Sequence, residues 1–274
     1  MGYIPSHVRI PLEDNFNDII GKACRGLKLT DEQVAQNAGV TAAAVAAAKA
    51  GTFHESVVRK IAPVLGLGAD ALVVSGQKAW YPADPGAING LVCFNTPYQD
   101  MTVNSFVVFD PATKIAAAFD TGADCSGMLK MAVKIQQIFI THIHGDHILA
   151  LAELQAQTGA PAVVSNREPL AGATAFADGT QFQIGNLQVA TRRTSGHVRG
   201  GVTYVVTGLS QRLAIVGDAM FAGSMGGGMV SYAEALQTNR ENILSLPDDT
   251  VICPGHGPLT TVGEQKQHNP FFTQ

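Results

Sequence analysis

Charge is scarce in this chain. Asp, Glu, Lys and Arg together make up 15% of its 274 residues, and the formal net charge is −4. That balance excludes the broad basic footprint with which a protein grips nucleic acid through its phosphates. Cysteine is sparse too: Cys24, Cys93, Cys125 and Cys253 stand far apart and form no CxxC pair. In a chain this long they read as reduced thiols, not as a disulfide framework. Met1 to Asp14 lacks the apolar core of a signal peptide. The longest apolar stretch, Val40 to Ala48, is too short to span a bilayer. These absences predict a cytoplasmic protein with no membrane partner. What is plentiful is apolar residues, 46% of the chain, enough to bury a sizeable core in one large domain, or in a large and a small one.

Two textures follow one another. Residues 12–78 read as all-helical, with helices expected at Asn15 to Leu27, after the capping residues Thr30 and Thr41, at Glu55 to Leu65 and at Ala69 to Val74. Ser75-Gly76 and then Pro82, Asp84, Pro85 and Gly86 make a break rich in turn residues. After it, residues 88–274 alternate strand and helix patterns. Strands are expected at Ser105 to Phe109, Ile115 to Phe119, Ile138 to Thr141, Ala162 to Ser165, Gln181 to Ile184, Leu187 to Thr191, Val202 to Thr207, Leu213 to Val216 and Val251 to Cys253. Helices are expected at His147 to Gln157 and Tyr232 to Leu246. The order predicts an α/β fold, sheets sandwiched between outer helices, preceded by a small all-α domain.

The densest chemical signal is Thr141-His142-Ile143-His144-Gly145-Asp146-His147. His142 and His144 sit two apart, so extended backbone points them the same way. Asp146 and His147 fall at a helix start and can face a second centre nearby. Three more ligand-type residues, His197, Asp218 and His256, each follow a strand and have a glycine neighbour that lets the backbone turn tightly. A lone His or Asp in such a place is usually an ordinary surface or core residue, which suits His7, His54 and His268. So dense a cluster, with three strand-end partners, points to metal.

The HxHxDH run with later His, Asp and His resembles the metallo-β-lactamase superfamily over about residues 88–271. Asn104-Ser105-Phe106 and Phe119-Asp120-Thr121-Gly122 look like its opening strands. The resemblance implies an αββα sandwich and two divalent metal ions, zinc first, with iron or manganese also compatible with His and Asp donors. It implies one ion on His142, His144 and His197, a second on Asp146, His147 and His256, and Asp218 bridging them. A hydroxide shared by the ions would be the nucleophile, with Asp146 also catalytic in orienting it. Asp218 argues against true β-lactamases, which lack a bridging aspartate. Phe221 replaces the tyrosine that lactonases often carry three residues after it.

Leu246-Pro247-Asp248-Asp249-Thr250, Pro254-Gly255-His256-Gly257-Pro258 and Asn269-Pro270-Phe271 resemble the glyoxalase II (hydroxyacylglutathione hydrolase) branch, especially its short bacterial members. The expected substrate is an acyl thioester such as S-lactoylglutathione. The helical carboxy-terminal domain that supplies much of the glutathione contact is expected to be missing. A mononuclear iron persulfide dioxygenase, using His142, His197 and Asp218, is the alternative. A lactonase and a DNA-binding regulator rank below it. For substrate contacts the candidates are Arg199, directly after a ligand, and Phe221. The glycine-rich segment Met220 to Met229 is expected to be a mobile loop beside Asp218. Cys125 reads as a structural thiol.

The helical region, with Gln33-Val34-Ala35-Gln36-Asn37-Ala38-Gly39-Val40 at its middle, resembles a Cro/phage-repressor helix-turn-helix. Its third helix would read base edges, yet it offers only Thr41 and Lys49 as polar side chains. Residues 1–80 hold eight Lys/Arg and seven Asp/Glu, too even a balance to attract phosphate. A structural role, or a homodimer through the Ala-rich helix, is the expectation, with nucleic acid not a partner.

Overall fold

In the computed structural model, which describes residues 9–273, the chain opens with five helices. They are α1 (Phe16–Leu27), α2 (Asp31–Ala38), α3 (Ala42–Lys49), α4 (Glu55–Val64) and α5 (Ala69–Gly76). The part of the signal-peptide reading that rests on Met1 to Val8, and the reading of His7, lie outside the described residues. In α1, Phe16, Ile19, Ile20, Ala23 and Cys24 recur at helical spacing and are buried. Thr30 caps α2 by accepting from Gln33 N, and Thr41 caps α3 by accepting from Ala44 N. Gly39 ends α2 at φ +63°, a left-handed conformation that costs glycine little. Lys49, the one charged side chain of α3, pairs with Asp31 at 2.7 Å, so that helix offers no unpaired cation to a phosphate.

The rest of the chain forms two six-stranded sheets. The first holds, in chain order and in spatial order, β1 (Leu91–Tyr98), β2 (Met101–Phe109), β3 (Ile115–Phe119), β4 (Lys134–Phe139), β5 (Ala162–Ser165) and β6 (Ala173–Phe176). Between them lie α6 (Ser126–Leu129), α7 (Gly145–Ile148) and α8 (Leu151–Thr158). The second sheet runs from β7 (Gln181–Ile184) through β8 (Leu187–Arg193), β9 (Val202–Thr207), β10 (Leu213–Gly217) and β11 (Val251–Pro254) to β12 (Thr260–Thr261). Helix α9 (Tyr232–Asn242) precedes β11, and α10 (Val262–His268) follows β12.

Period-two alternation explains the layering. Phe106 and Val108 on β2, Phe119 on β3, Tyr204 and Val206 on β9 and Leu213 and Ile215 on β10 meet in one core between the sheets. Their alternates turn outward. Val107, Ala116 and Ala118 pack under Leu151 and Leu154 of α8. Val205, Ala214 and Val216 pack under Ile243, Leu244 and Leu246. The result is the expected helix–sheet–sheet–helix sandwich with helices ahead of it. The buried Tyr204 hydroxyl donates to Ile140 O at 2.7 Å across the core.

The helical region is not separate from the sandwich. Its apolar core includes Met225, Tyr232, Ala235 and Phe271 from the chain after β10, and a methyl on Gly26 of α1 would fall 2.2 Å from the Tyr232 ring. No helix among the described residues is long and apolar enough to cross a membrane.

Several sequence expectations need correction. Strand β1 was not anticipated, because Asn95 and Pro97 break its pattern; it forms by pairing with β2, which begins at Met101 rather than Ser105. The helix expected from His147 to Gln157 is two helices with a break at Leu149 and Ala150. The one expected to reach Leu246 stops at Asn242. Met220 to Met229 is not a free loop. Phe221 to Gly226 are buried, Phe221 and Ser224 bond each other's backbone, and Asn269 Nδ2 donates to Ser224 O at 2.7 Å.

Candidate metal centre

Strand direction brings the ligand-type residues together. β8 and β10 both run antiparallel to β9, and β11 is parallel to β10. All three therefore end on the same edge of their sheet, where His197, Asp218 and His256 follow. From the other sheet, the residues after β4 supply His142 and His144, and the short α7 supplies Asp146 and His147.

The side chains gather in two groups. His142, His144, His197 and Asp218 have ligand atoms within 4.8 Å of one another, and so do Asp146, His147 and His256. In the first group His144 Nδ1 lies 3.1 Å from His142 Nε2 and 3.2 Å from His197 Nε2. Donors about 2.0–2.1 Å from a tetrahedral ion stand roughly 3.3 Å apart. Asp218 reaches both groups. Its Oδ2 lies 3.8 Å from His142 Nε2 and 3.5 Å from His197 Nε2, while its Oδ1 lies 3.3 Å from His147 Nε2 and 3.5 Å from His256 Nε2. Asp146 Oδ2 lies 3.5 Å and 3.2 Å from the same two nitrogens.

Each imidazole but His144 is locked from behind. Gly227 O and Thr102 O can only accept, so His197 Nδ1 donates to the first at 2.9 Å and His256 Nδ1 to the second at 2.7 Å. Asp120 is the hub for the other pair. Its Oδ1 accepts from Thr141 N at 2.7 Å, and its Oδ2 accepts from Thr141 Oγ1 at 2.7 Å and His147 Nδ1 at 2.8 Å. With its proton committed to Asp120, Thr141 Oγ1 accepts from His142 Nδ1 at 3.1 Å. Nδ1 is thus protonated in four rings, and Nε2 of each faces the centre, the arrangement in which a carboxylate or carbonyl orients a metal-binding imidazole. Buried His147 Nε2 and Asp218 Oδ1 have no hydrogen-bond partner. They face each other at 3.3 Å without a hydrogen bond, buried atoms lacking one are costly, and a cation between them would satisfy both. The donor set therefore fits a pair of divalent ions.

Asp120 is the residue that sequence reasoning missed as functional. Its signal was present, an acid at a strand end followed by Thr-Gly. Gly255 is needed for close approach: a methyl there would lie 2.3 Å from Asp218 Oδ1 and 2.6 Å from His147 Cε1. Gly255→Ala is expected to cost about 100-fold in activity by displacing both ligands, with reduced metal content checking the cause. Of the substrate candidates, Arg199 is exposed. Phe221 is only 3% exposed, its ring edge-on to His256 with centroids 5.8 Å apart, so it backs a ligand and offers little surface to a substrate. Cys125 is fully buried in the apolar layer under α8, and burial, with Glu153 adding, pushes its thiol up to about 11.

Charge divides the two groups. Burial first, then the neighbouring histidines, hold His142 well below the usual imidazole range, and His144 is lowered for the same reasons. Burial opposes the charged form of His147 too, but Asp120 and Asp218 outweigh it and hold that ring well above the usual range. At His256 burial is likewise outweighed, by Asp146 and Asp218, and the ring rises to about 9. Without an ion these two rings keep their protons at neutral pH, and a cation must displace them. Metal uptake at pH 7.5 is therefore expected to release protons, and affinity to climb as pH rises toward about 9. Calorimetry in buffers of different ionisation enthalpy reads this; buffer-independent heats would contradict it.

Comparison with known proteins places the chain in a family. Residues 99–256 match the family model of the metallo-beta-lactamase superfamily. A hydroxyacylglutathione hydrolase of Methylobacterium nodulans is 33% identical over 157 residues, covering 55% of this chain and 60% of that one. The match thus spans less than two thirds of that relative. The solved structure of the BLEG-1 B3 metallo-beta-lactamase aligns with a TM-score of 0.57 at 26% identity, over 66% of this chain and 99% of that one. ETHE1 from Myxococcus xanthus aligns at 23% identity with a TM-score of 0.57, over 66% of this chain and 84% of that one, a likeness of fold. Matched over residues 99–256, more than half of its length, the chain belongs to the metallo-beta-lactamase superfamily.

Proposed function

We propose that the chain is a binuclear metal-dependent hydrolase of acyl thioesters. The observation that carries the reading is the division of one carboxylate: Asp218 turns Oδ2 to His142 and His197, and Oδ1 to His147 and His256. A carboxylate so placed can bridge two cations. His142, His144 and His197 would hold one, and Asp146, His147 and His256 the other. When bound, such a pair lowers the pKa of a shared water from about 16 to about 7 and polarises a carbonyl oxygen.

The chain's own residues set the rest. Thr141, Gly227, Asp120 and Thr102 keep Nδ1 of His142, His197, His147 and His256 protonated, so each Nε2 stays available as a donor. Asp146 is the most open member of its group, its side chain 12% exposed against 0% for His147 and 5% for His256. We assign it to orient the attacking water as well as to hold metal.

Two observations support an acyl thioester. The Methylobacterium nodulans relative is named as a hydroxyacylglutathione hydrolase. Among the described residues the large apolar side chains left exposed, Leu27 apart, are Met101, Leu149, Met229 and Val230. Met101 adjoins Thr102, Leu149 lies two residues past His147, Met229 N donates to Gly227 O, and Val230 N donates to Gly196 O beside His197. Exposed apolar surface gathered near the ligands suits an acyl group. Metal analysis paired with S-lactoylglutathione hydrolysis tests the reading. Two ions per chain are expected, with thiol release lost on chelation and restored by zinc. One iron per chain, with oxygen uptake on a persulfide, would overturn it.

A further inference from the structure

The segment 10–14 precedes α1 and lies outside the matched residues 99–256, yet it rests against Gly257, the residue that follows His256. A methyl on Gly257, the residue after His256, would lie 3.4 Å from Glu13 N, 3.6 Å from Pro11 O and 3.7 Å from Glu13 Cβ. The segment is fixed at both ends. Tyr81 Oη donates to Ile10 O at 2.7 Å. Asp14 accepts from Lys22 Nζ and from Ser224 Oγ, and Lys22 Nζ also donates to Met225 O at 2.9 Å. The same ammonium stands 5.2 Å from the centre of the Phe221 ring, whose edge meets His256. Helix α1 and the segment ahead of it thus clamp the buried stretch beside Asp218.

In this clamp Lys22 and Asp14 satisfy each other, while Glu13 is left over. It is part-buried, and among the described residues its carboxylate has no hydrogen bond or ion pair. Burial raises its carboxyl above the usual range, with Asp14 and Asp218 adding and His256 and Lys22 opposing. A carboxylate half removed from water and without a partner gains from any cation brought to it, and repels an anion.

We infer that Glu13 is a substrate-selecting residue, placed by the amino-terminal segment beside His256, and that it receives a protonated amine carried by the substrate. The inference rests on the thioester reading for its substrate class: the preferred thioesters carry an ammonium group, and those carrying an acid at the same place are rejected. Lys22 cannot reverse this preference, because its ammonium is spent on Asp14 and Met225 O.

The test compares three thiols that differ in charge. Cysteamine, 2-mercaptoethanol and 3-mercaptopropionate are titrated by calorimetry into the zinc-loaded full chain, unaltered and as Glu13→Gln. Cysteamine is expected to bind about tenfold more tightly than 3-mercaptopropionate, because attraction and repulsion both enter the ratio. In E13Q the ratio should shrink to about twofold, with 2-mercaptoethanol and zinc content unchanged. A ratio unaltered by E13Q, or no preference for cysteamine in the unaltered chain, overturns the assignment. So does loss of zinc in E13Q, which would make Glu13 a metal ligand. Hydrolysis of an uncharged thioester stands apart from all three results, and its absence would count against the thioester reading itself.

Discussion

Asp218→Ala is expected to lower hydrolysis by about a thousandfold or more while the fold survives. The side chain does two things at once. Its oxygens close both ligand groups, and its charge balances His147, which lies 3.3 Å from Oδ1. Burial works against that charge, yet His147, His142 and His256 hold the Asp218 carboxyl well below the usual range. Without it the two groups lose their shared member, and metal content should fall together with rate. The apolar core between the sheets does not depend on this side chain, so far-UV circular dichroism should be unchanged. Full activity in the variant would refute the bridging role.

Asp120→Asn is the second large effect, and it acts through His147 and His142, the residues proposed to hold metal, and not as a ligand itself. Asp120 accepts three hydrogen bonds, from Thr141 N, Thr141 Oγ1 and His147 Nδ1. An amide has one acceptor oxygen, so in either orientation its NH2 meets a donor. With oxygen at the Oδ2 position, the NH2 faces Thr141 N–H. Turned over, it faces the His147 ring and the Thr141 hydroxyl. His147 then loses the partner that fixes its tautomer, and His142 loses a fixed Thr141. Replacement of such an orienting group typically costs about 10–100-fold in metal affinity. Competition with a chromophoric chelator reads the loss, and an affinity within twofold of the unaltered chain would contradict it.

The sequence exposed this site better than it exposed the fold's edges, for physical reasons. The seven ligand-type residues carry their chemistry in side-chain identity, and their strand-end placement follows from hydrophobic period and glycine. The supports do not announce themselves in that way. Thr102 and Gly227 act through backbone carbonyls, which any residue has. Asp120 looks like an ordinary turn acid until β3 and β4, paired in parallel, bring it to Thr141. Its backbone at φ +54° is a conformation that a non-glycine residue adopts at some cost. Glu13 comes beside Gly257, the neighbour of His256, only through the docking of α1, a placement no local pattern encodes. Strand β1 escaped for a related reason. Asn95 and Pro97 weaken its own propensity, and pairing with β2, where Asn95 Nδ2 donates to Asn104 Oδ1 at 2.8 Å, restores it.

Hydrolysis at this site requires two cations to meet these side chains. Anomalous scattering from crystals of zinc-loaded protein locates them. Two peaks are predicted, one in contact with His142, His144 and His197, the other with Asp146, His147 and His256, and Asp218 touching both. A single peak, or zinc bound elsewhere with these imidazoles bonded only to one another, would contradict it.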